Sequence, residues 1–227
     1  MDLDGTIVDS APDLAAALNR LMHARGLAPF GLEETKRMIG DGVGALIERA
    51  FARRGLRPDA AAVADFVADY GRAYARATRL FPGVAETLAG LRERGWRLAV
   101  CTNKLAQPAR DLLDALRIGG LFAAIGGGDS FPVRKPDPAH LLATLKAAGG
   151  SPVRAVMVGD HRNDVIAARG AGLPCVFAAW GYGPPEMAEG VAAVAHAFGE
   201  IPAIAAHLLS LSAPGAGRKN NREDRTP

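Results

Sequence analysis

From Gly95 onward, short β-rich apolar runs alternate with helical patterns, and each run ends in a polar cluster. This rhythm constrains the chain more than any other feature, because it marks a parallel sheet covered by helices on both faces. The run Arg97 to Cys101 ends in Thr102-Asn103-Lys104, and Phe122 to Ile125 ends in Gly126-Gly127-Gly128-Asp129. Ala155 to Val158 ends in Gly159-Asp160, and Cys175 to Trp180 ends in Gly181-Tyr182-Gly183. Helical patterns at Gln107 to Leu116, Pro138 to Ala148 and Asp164 to Ala171 separate them. Open parallel sheets bind ligands beyond the carboxyl ends of their strands. The polar clusters are therefore expected to converge on one site in a doubly wound α/β fold.

The stretch from Pro12 to Arg79 has a different texture: Ala, Leu and Arg at helical spacing, no strand-like run, and breaks near Pro29 to Gly31, Gly40 to Gly44 and Gly55 to Pro58. It predicts a helical subdomain over residues 12–79, inserted into a core formed by residues 1–11 and 80–211. Pro82-Gly83 closes it and starts a new helix. Beyond Leu211, Ser, Pro, Gly and mixed charge cannot bury enough surface to offset the entropy of ordering. A disordered tail over 212–227 is expected.

With 49% hydrophobic and 22% charged residues, the chain has the make-up of a globular protein with a sizeable core. The net charge is +3, and the last fifteen residues, with four basic side chains against Glu223 and Asp224, supply most of it. A nearly neutral body excludes a face built to follow a phosphate backbone, so no nucleic-acid partner is expected. Cys101 and Cys175 each sit inside an apolar run and read as buried free thiols. No apolar run reaches transmembrane length, and the chain opens on carboxylates rather than a signal sequence. A soluble, cytoplasmic protein with no membrane partner follows, as monomer or homodimer.

Asp2-Leu3-Asp4-Gly5-Thr6 places two carboxylates two residues apart, so in an extended segment both point to the same side. Close like charges need a cation or a shared proton, although an acidic turn would carry the same residues. Gly159-Asp160-His161-Arg162-Asn163-Asp164 supplies a second acidic pair after a strand. The four carboxylates Asp2, Asp4, Asp160 and Asp164 suit a hard cation, and Mg²⁺ favours oxygen ligands with retained waters. Asp164 could equally cap the following helix. Thr102-Asn103 offers a hydroxyl, an amide and free backbone N–H groups, and Lys135 lies just before a helix start. With only five lysines against twenty-two arginines, Lys135 is less easily read as a solvated loop charge. Lys104 either reaches a substrate or solvates a helix start. His161 reads as a bystander to an oxygen-ligated metal, and His23, His140, His196 and His207 have no clustered spacing. Gly40, Gly42 and Gly44 lack the preceding strand and the Lys-Ser/Thr ending of a phosphate loop, and suggest a tight turn.

These four motifs, in this order, resemble the haloacid-dehalogenase superfamily of phosphohydrolases from Met1 to about Ile204. Asp9-Ser10-Ala11-Pro12-Asp13-Leu14, Ile39-Gly40-Asp41-Gly42-Val43, Cys101-Thr102-Asn103-Lys104 and Gly181-Tyr182-Gly183-Pro184 resemble its bacterial phosphoglycolate phosphatases. The resemblance implies a Rossmann-like core with a helical cap, and a Mg²⁺-dependent hydrolase of a small phosphate ester, with 2-phosphoglycolate the leading substrate. By the same resemblance Asp2 is the nucleophile that forms an aspartyl-phosphate, and Asp4 the general acid and base. Thr102 and Asn103 hold the phosphoryl oxygens while Lys135 offsets their charge. Asp160 ligates Mg²⁺ with the Asp2 carboxylate and the Asp4 carbonyl, and Asp164 holds the metal's waters or Lys135. Gly40, Gly42, Arg37 and Lys104 are candidate substrate contacts, with Lys36 and Arg49 as further cations for a substrate carboxylate.

The superfamily places an apolar strand before the position of Asp2, and only Met1 precedes it here. The first core strand is expected to be cut short, with translation starting upstream or the chain a weakened fragment. Rival readings are a sugar-phosphate phosphatase or phosphoglucomutase-type phosphotransferase, a receiver-type signalling domain and a non-catalytic fragment. The inserted helical segment and the paired aspartates of the first motif argue against the receiver.

Overall fold

The structure is a computed structural model and describes residues 1–211; the expected tail lies outside the described residues. The chain opens with the extended segment Met1–Leu3 and reaches a two-residue strand, β1 (Val8–Asp9). Four helices follow: α1 (Ala11–Ala24), α2 (Leu32–Lys36), α3 (Val43–Ala52) and α4 (Ala62–Gly71). The chain returns along β2 (Arg79–Leu80) into α5 (Val84–Glu93), β3 (Leu98–Cys101), α6 (Ala106–Ala115), β4 (Phe122–Gly126) and α7 (Pro138–Ala147). It ends with β5 (Met157–Gly159), α8 (Arg162–Gly170), β6 (Cys175–Ala178), β7 (Ala193–Ala195) and α9 (Ile201–Leu211).

β3 pairs parallel with β4, and β5, β6 and β7 form a second parallel group. Met1–Leu3 joins the two groups. The Met1 amino group donates to Ala99 O at 2.8 Å and Cys101 N–H donates to Met1 O at 2.9 Å, a parallel pattern. On the other side Asp2 N–H donates to Val158 O at 2.8 Å. The spatial order is thus β4, β3, Met1–Leu3, β5, β6, β7. A cavity of about 620 Å³ beside Met1 is lined by Leu98 and Ala99 of β3 and by Met157 and Val158 of β5.

Alternation along β3 sends successive side chains to opposite faces. Val100 joins an apolar cluster with Leu3, Ile7, Leu88, Leu91 and Leu112, under α5 and α6. Cys101 joins another with Leu141, Met157, Val165, Cys175 and Phe177, under α7 and α8. Both cysteines are free and buried, as their apolar surroundings predict. The short strand β7 and the helix α9 were not visible in the sequence: Ala193–Ala195 carries too little β-branched character and Ala205 too little bulk to show a period. The sheet needs them because Val176 and Ala195 pack against Ile201.

Helices α1 to α4 pack around a separate cluster containing Leu14, Leu18, Met22, Phe30, Met38, Ile47, Phe51, Phe66 and Tyr70. In α1 the buried positions Ala11, Leu14, Leu18, Leu21 and Met22 follow helical spacing, Pro12 opens the first turn, and Gly26 at φ 66° ends the helix region. The chain leaves and re-enters the core side by side, because β1 and β2 pair antiparallel through Val8 with Leu80 and Asp9 with Arg79. This ribbon replaces the uninterrupted helical texture expected up to Arg79; two residues per strand are too few to show a period of two.

Buried Asp13 anchors the return. Its carboxylate accepts from Ala77 N–H at 3.0 Å, from Thr78 N–H at 2.8 Å and from the Thr78 hydroxyl at 2.8 Å. Asp13→Ala strands these donors, and the expected cost is about 3 kcal/mol. Urea unfolding should show a lower midpoint with an unchanged slope; an unchanged midpoint would remove Asp13 as the anchor.

Candidate active site

Three loops at carboxyl ends of central strands, and the loop before α7, meet above the sheet. The turn after Met1–Leu3 carries Asp2 and Asp4, the end of β3 carries Thr102, Asn103 and Lys104, the loop before α7 carries Lys135, and the end of β5 carries Asp160 and Asp164. Asp2, Thr102, Asn103, Lys135, Asp160 and Asp164 are all buried.

Lys135 is the hub. Its Nζ lies 2.9 Å from Asp2 Oδ1 and donates to Asp164 Oδ1 at 2.6 Å. Burial opposes the charge on Lys135, but Asp164 and Asp2 outweigh it and hold the ammonium above its ordinary value. The backbone supports the placement, since Lys135 N–H donates to His140 Nδ1 at 3.2 Å while His140 Nε2 sits 3.0 Å from Gly127 O. His140 thus supports the lysine loop, a task its isolated place in the sequence did not signal.

Asp164 caps α8 and holds Lys135. Oδ1 takes Lys135, and Oδ2 accepts from His161 N–H at 3.0 Å, closing a capping box at the start of α8. Asp160 sits deeper. Its Oδ1 accepts from the Thr6 hydroxyl at 2.8 Å and its Oδ2 from Tyr182 N–H at 2.8 Å. Gly5, at φ 84°, passes so close that a β-carbon there would run into the Asp160 carboxylate.

Carboxylate oxygens of Asp2, Asp160 and Asp164 lie within 4.8 Å of one another. One lysine among three buried carboxylates leaves two negative charges uncompensated, and an all-oxygen donor set suits a hard divalent cation. The residues therefore fit the magnesium expectation, with Asp2 and Asp160 placed to hold the ion and Asp164 committed to Lys135 and the α8 terminus. In the metal-free protein, burial first and the charges of Asp2 and Asp164 next raise Asp160 from 3.8 to about 7.

Asp4 faces the neighbouring pocket. Oδ1 accepts from the Ser10 hydroxyl at 2.5 Å and from Lys104 Nζ at 3.1 Å. Thr102 Oγ1 accepts from Lys104 N–H at 3.2 Å. Asn103 joins the core to the helical segment, donating from Nδ2 to Lys135 O at 2.9 Å and to Gly40 O at 3.1 Å. Its Oδ1 is buried without a hydrogen-bond partner. The Gly40–Gly42 turn is held to the core a second time where Asp41 accepts from Asn163 and pairs with Arg49.

A cavity of about 70 Å³ lies beneath this turn, lined by Asp2, Asp4, Gly40, Gly42, Thr102, Asn103 and Lys104 together with apolar residues of both parts. Arg37 is exposed at the end of α2 and does not line it. Lys36 pairs with Glu33, Arg49 is tied to Asp41 and Met38 O, and neither lines the cavity. Helical periodicity could not tell which cation on a helix faces the core. Tyr182 was quoted in the sequence only as part of a motif; its hydroxyl donates to Asp9 Oδ1 at 2.8 Å and accepts from Ala11 N–H at 2.9 Å, tying the start of the helical segment to the Asp160 loop.

Residues 1–178 match the haloacid dehalogenase-like hydrolases. The chain belongs to this family. Among its relatives, the phosphoglycolate phosphatase of Caulobacter vibrioides is 42% identical over 222 residues, covering 95% of this chain and 94% of its own. That of Agrobacterium fabrum is 42% identical over 192 residues, covering 83% and 82%. A crystal structure described as a predicted phosphoglycolate phosphatase from Haemophilus somnus superposes with a TM-score of 0.83 at 32% identity, over 89% of this chain and 95% of that one. CbbY from Rhodobacter sphaeroides, solved in complex with phosphate, reaches 0.75 at 26% identity, over 88% and 93%. The Rossmann-like α/β core expected from the strand rhythm is the fold of this haloacid dehalogenase-like chain. Among the described residues, no helix is long and apolar enough to cross a membrane.

The raised Asp160 value gives a signed stability prediction. An unfolded carboxylate ionises near 3.8, whereas the folded one keeps its proton to about 7, so its contribution to stability is lost as pH rises through that window. Without metal, Asp160→Asn should become progressively more stable than wild type between these two values, by on the order of 4 kcal/mol. Unfolding free energies measured at several pH values test this; a constant difference would refute it.

Proposed function

We propose that this phosphoric monoester hydrolase converts 2-phosphoglycolate to glycolate and phosphate through an aspartyl-phosphate on Asp2, with Mg²⁺ as cofactor and the helical segment as the cap over the site. The observation that carries this reading is the placement of Asp2 against Lys135 and Asp160, with Asp4 and Lys104 beside the same cavity.

In the first half-reaction an Asp2 oxygen attacks phosphorus in line, the bond to the ester oxygen breaks, and Asp4 delivers a proton to the departing alkoxide. In the second, Asp4 takes a proton from water as it attacks the phosphoryl group and frees Asp2. Ser10 and Lys104 orient the Asp4 carboxylate for both steps. Thr102 and the Asn103 backbone steady the transferring oxygens, and Lys135 compensates their charge in a site that excludes water. Mg²⁺, held by Asp2, Asp160 and the Asp4 carbonyl, would supply charge neutralisation between the carboxylates and the phosphate. The alternative of a sugar-phosphate substrate is less favoured, because the small cavity has largely apolar walls with few partners for ring hydroxyls.

Steady-state assays on a panel of small phosphate esters, with magnesium and with excess chelator, test the proposal. Turnover should be highest on 2-phosphoglycolate, vanish in chelator and return with Mg²⁺. Asp2→Asn should lose about 10⁴-fold or more in kcat while remaining folded, because an amide keeps the shape and lacks the nucleophilic charge. Full turnover in chelator would overturn the metal assignment, and wild-type turnover of Asp2→Asn would overturn the covalent route.

A further inference from the structure

The core residue Lys104 and the helical-segment residue Tyr70 meet inside the cavity. The Lys104 ammonium donates to the Tyr70 hydroxyl at 3.0 Å and lies 4.6 Å from the centre of the Tyr70 ring. Its side chain is 8% exposed. A lysine so deeply placed costs desolvation unless negative charge and hydrogen bonds surround it, and Asp4 and Tyr70 supply both here. Burial alone would pull the ammonium down, yet these two neighbours hold it above its ordinary value. The remaining walls near it are apolar: Leu14, Val43, Leu46, Phe66 and Leu105. Lys104 is the only cationic side chain lining the cavity among the described residues, after Lys36, Arg37 and Arg49 have all been found elsewhere.

The position of Lys104 relative to Asp4 defines what it can read. If Asp4 protonates the ester oxygen of the leaving group, a group one methylene beyond that oxygen arrives beside the ammonium that touches Asp4. We propose that Lys104 and Tyr70 together form the recognition site for a substrate carboxylate one methylene from the ester oxygen, with the Tyr70 hydroxyl as second donor and the Phe66 side of the cavity as the limit on tail length. The inference rests on the phosphatase reading and adds Tyr70 as a specificity-determining residue. A neutral tail leaves the pair without its anion. A sugar ring finds few polar partners on these largely apolar walls. Because Tyr70 comes from α4 and Lys104 from the loop after β3, both donors reach one carboxylate only when the helical segment lies over the core.

The test compares kcat/KM for 2-phosphoglycolate and ethyl phosphate, two esters that differ by the tail charge. Lys104→Met should lower kcat on both esters through Asp4 and, beyond that shared loss, lower the preference for phosphoglycolate about 100-fold through KM, as for removal of one partner from a buried charge pair. Tyr70→Phe removes one oxygen, keeps the stacking on Phe66 at a centroid distance of 5.9 Å, and should lower the preference about tenfold. Lys104→Arg should recover part of what Met loses. If Lys104→Met does not fold, Tyr70→Phe decides by itself. A wild-type enzyme with no preference for phosphoglycolate would overturn the substrate reading. A wild-type preference that survives both Tyr70→Phe and Lys104→Met would overturn the recognition site alone, and so would equal losses on both esters.

Discussion

An ammonium group cut off from water either gathers negative charge around it or gives up its proton. Lys135 takes the first course, between Asp2 and Asp164, and most of the site's geometry follows from that. Asp164 can reach it only if α8 starts immediately beyond β5, and Asp2 only if Met1–Leu3 occupies the centre of the sheet. Both conditions are met by backbone bonds: His161 N–H caps through Asp164, and Met1 and Asp2 are held to β3 and β5. The lysine in turn makes the neighbouring carboxylates tolerable and still leaves charge for a divalent cation. Substrate phosphate would enter a field already balanced between these groups, with little reorganisation left to do.

The short connection from β1 into α1 shows how densely one segment can be used. Asp9 accepts from Tyr182, Ser10 donates to Asp4, and Asp13 gathers the returning chain at Ala77 and Thr78. Three polar side chains within five residues thereby fix the Tyr182 loop after β6, the orientation of Asp4 and the exit of the helical segment. None of these bonds is helical in origin, so none leaves a periodic trace.

What the sequence made legible was the chemistry at strand ends. Apolar runs announce β3 to β6, and the polar residues that follow each run are the ones brought together, because a parallel sheet delivers all its carboxyl ends to one side. Asp160 was legible for that reason, whereas Asp2 was legible from its pairing with Asp4, and Lys135 from its place before a helix in a chain poor in lysine. Contacts made across the junction with the helical segment were not. Tyr70 looks like any core aromatic on an amphipathic helix, and its hydroxyl acquires meaning only when Lys104 lies opposite. Arg37 and Arg49 both carry charge near the Gly40–Gly44 turn, yet one is exposed and the other is taken up by Asp41. Very short elements escaped for a different reason. β1, β2 and β7 are specified by the partners they meet, and their own composition carries no signal.

The bond from Asn103 to the carbonyl of Gly40 bears on how such an enzyme can diverge. Its acceptor is the main chain of Gly40, whose φ of 124° and the His161 ring against it leave no room for a side chain, and its donor belongs to the core. Attachment of the helical segment at this point thus rests on a glycine carbonyl and a core asparagine, while Phe66, Val67 and Tyr70, which line the cavity, are ordinary replaceable side chains. Those walls can be altered without rebuilding the fastening that brings them over the core. Mutational drift in ligand choice and preservation of closure therefore proceed on separate parts of the molecule.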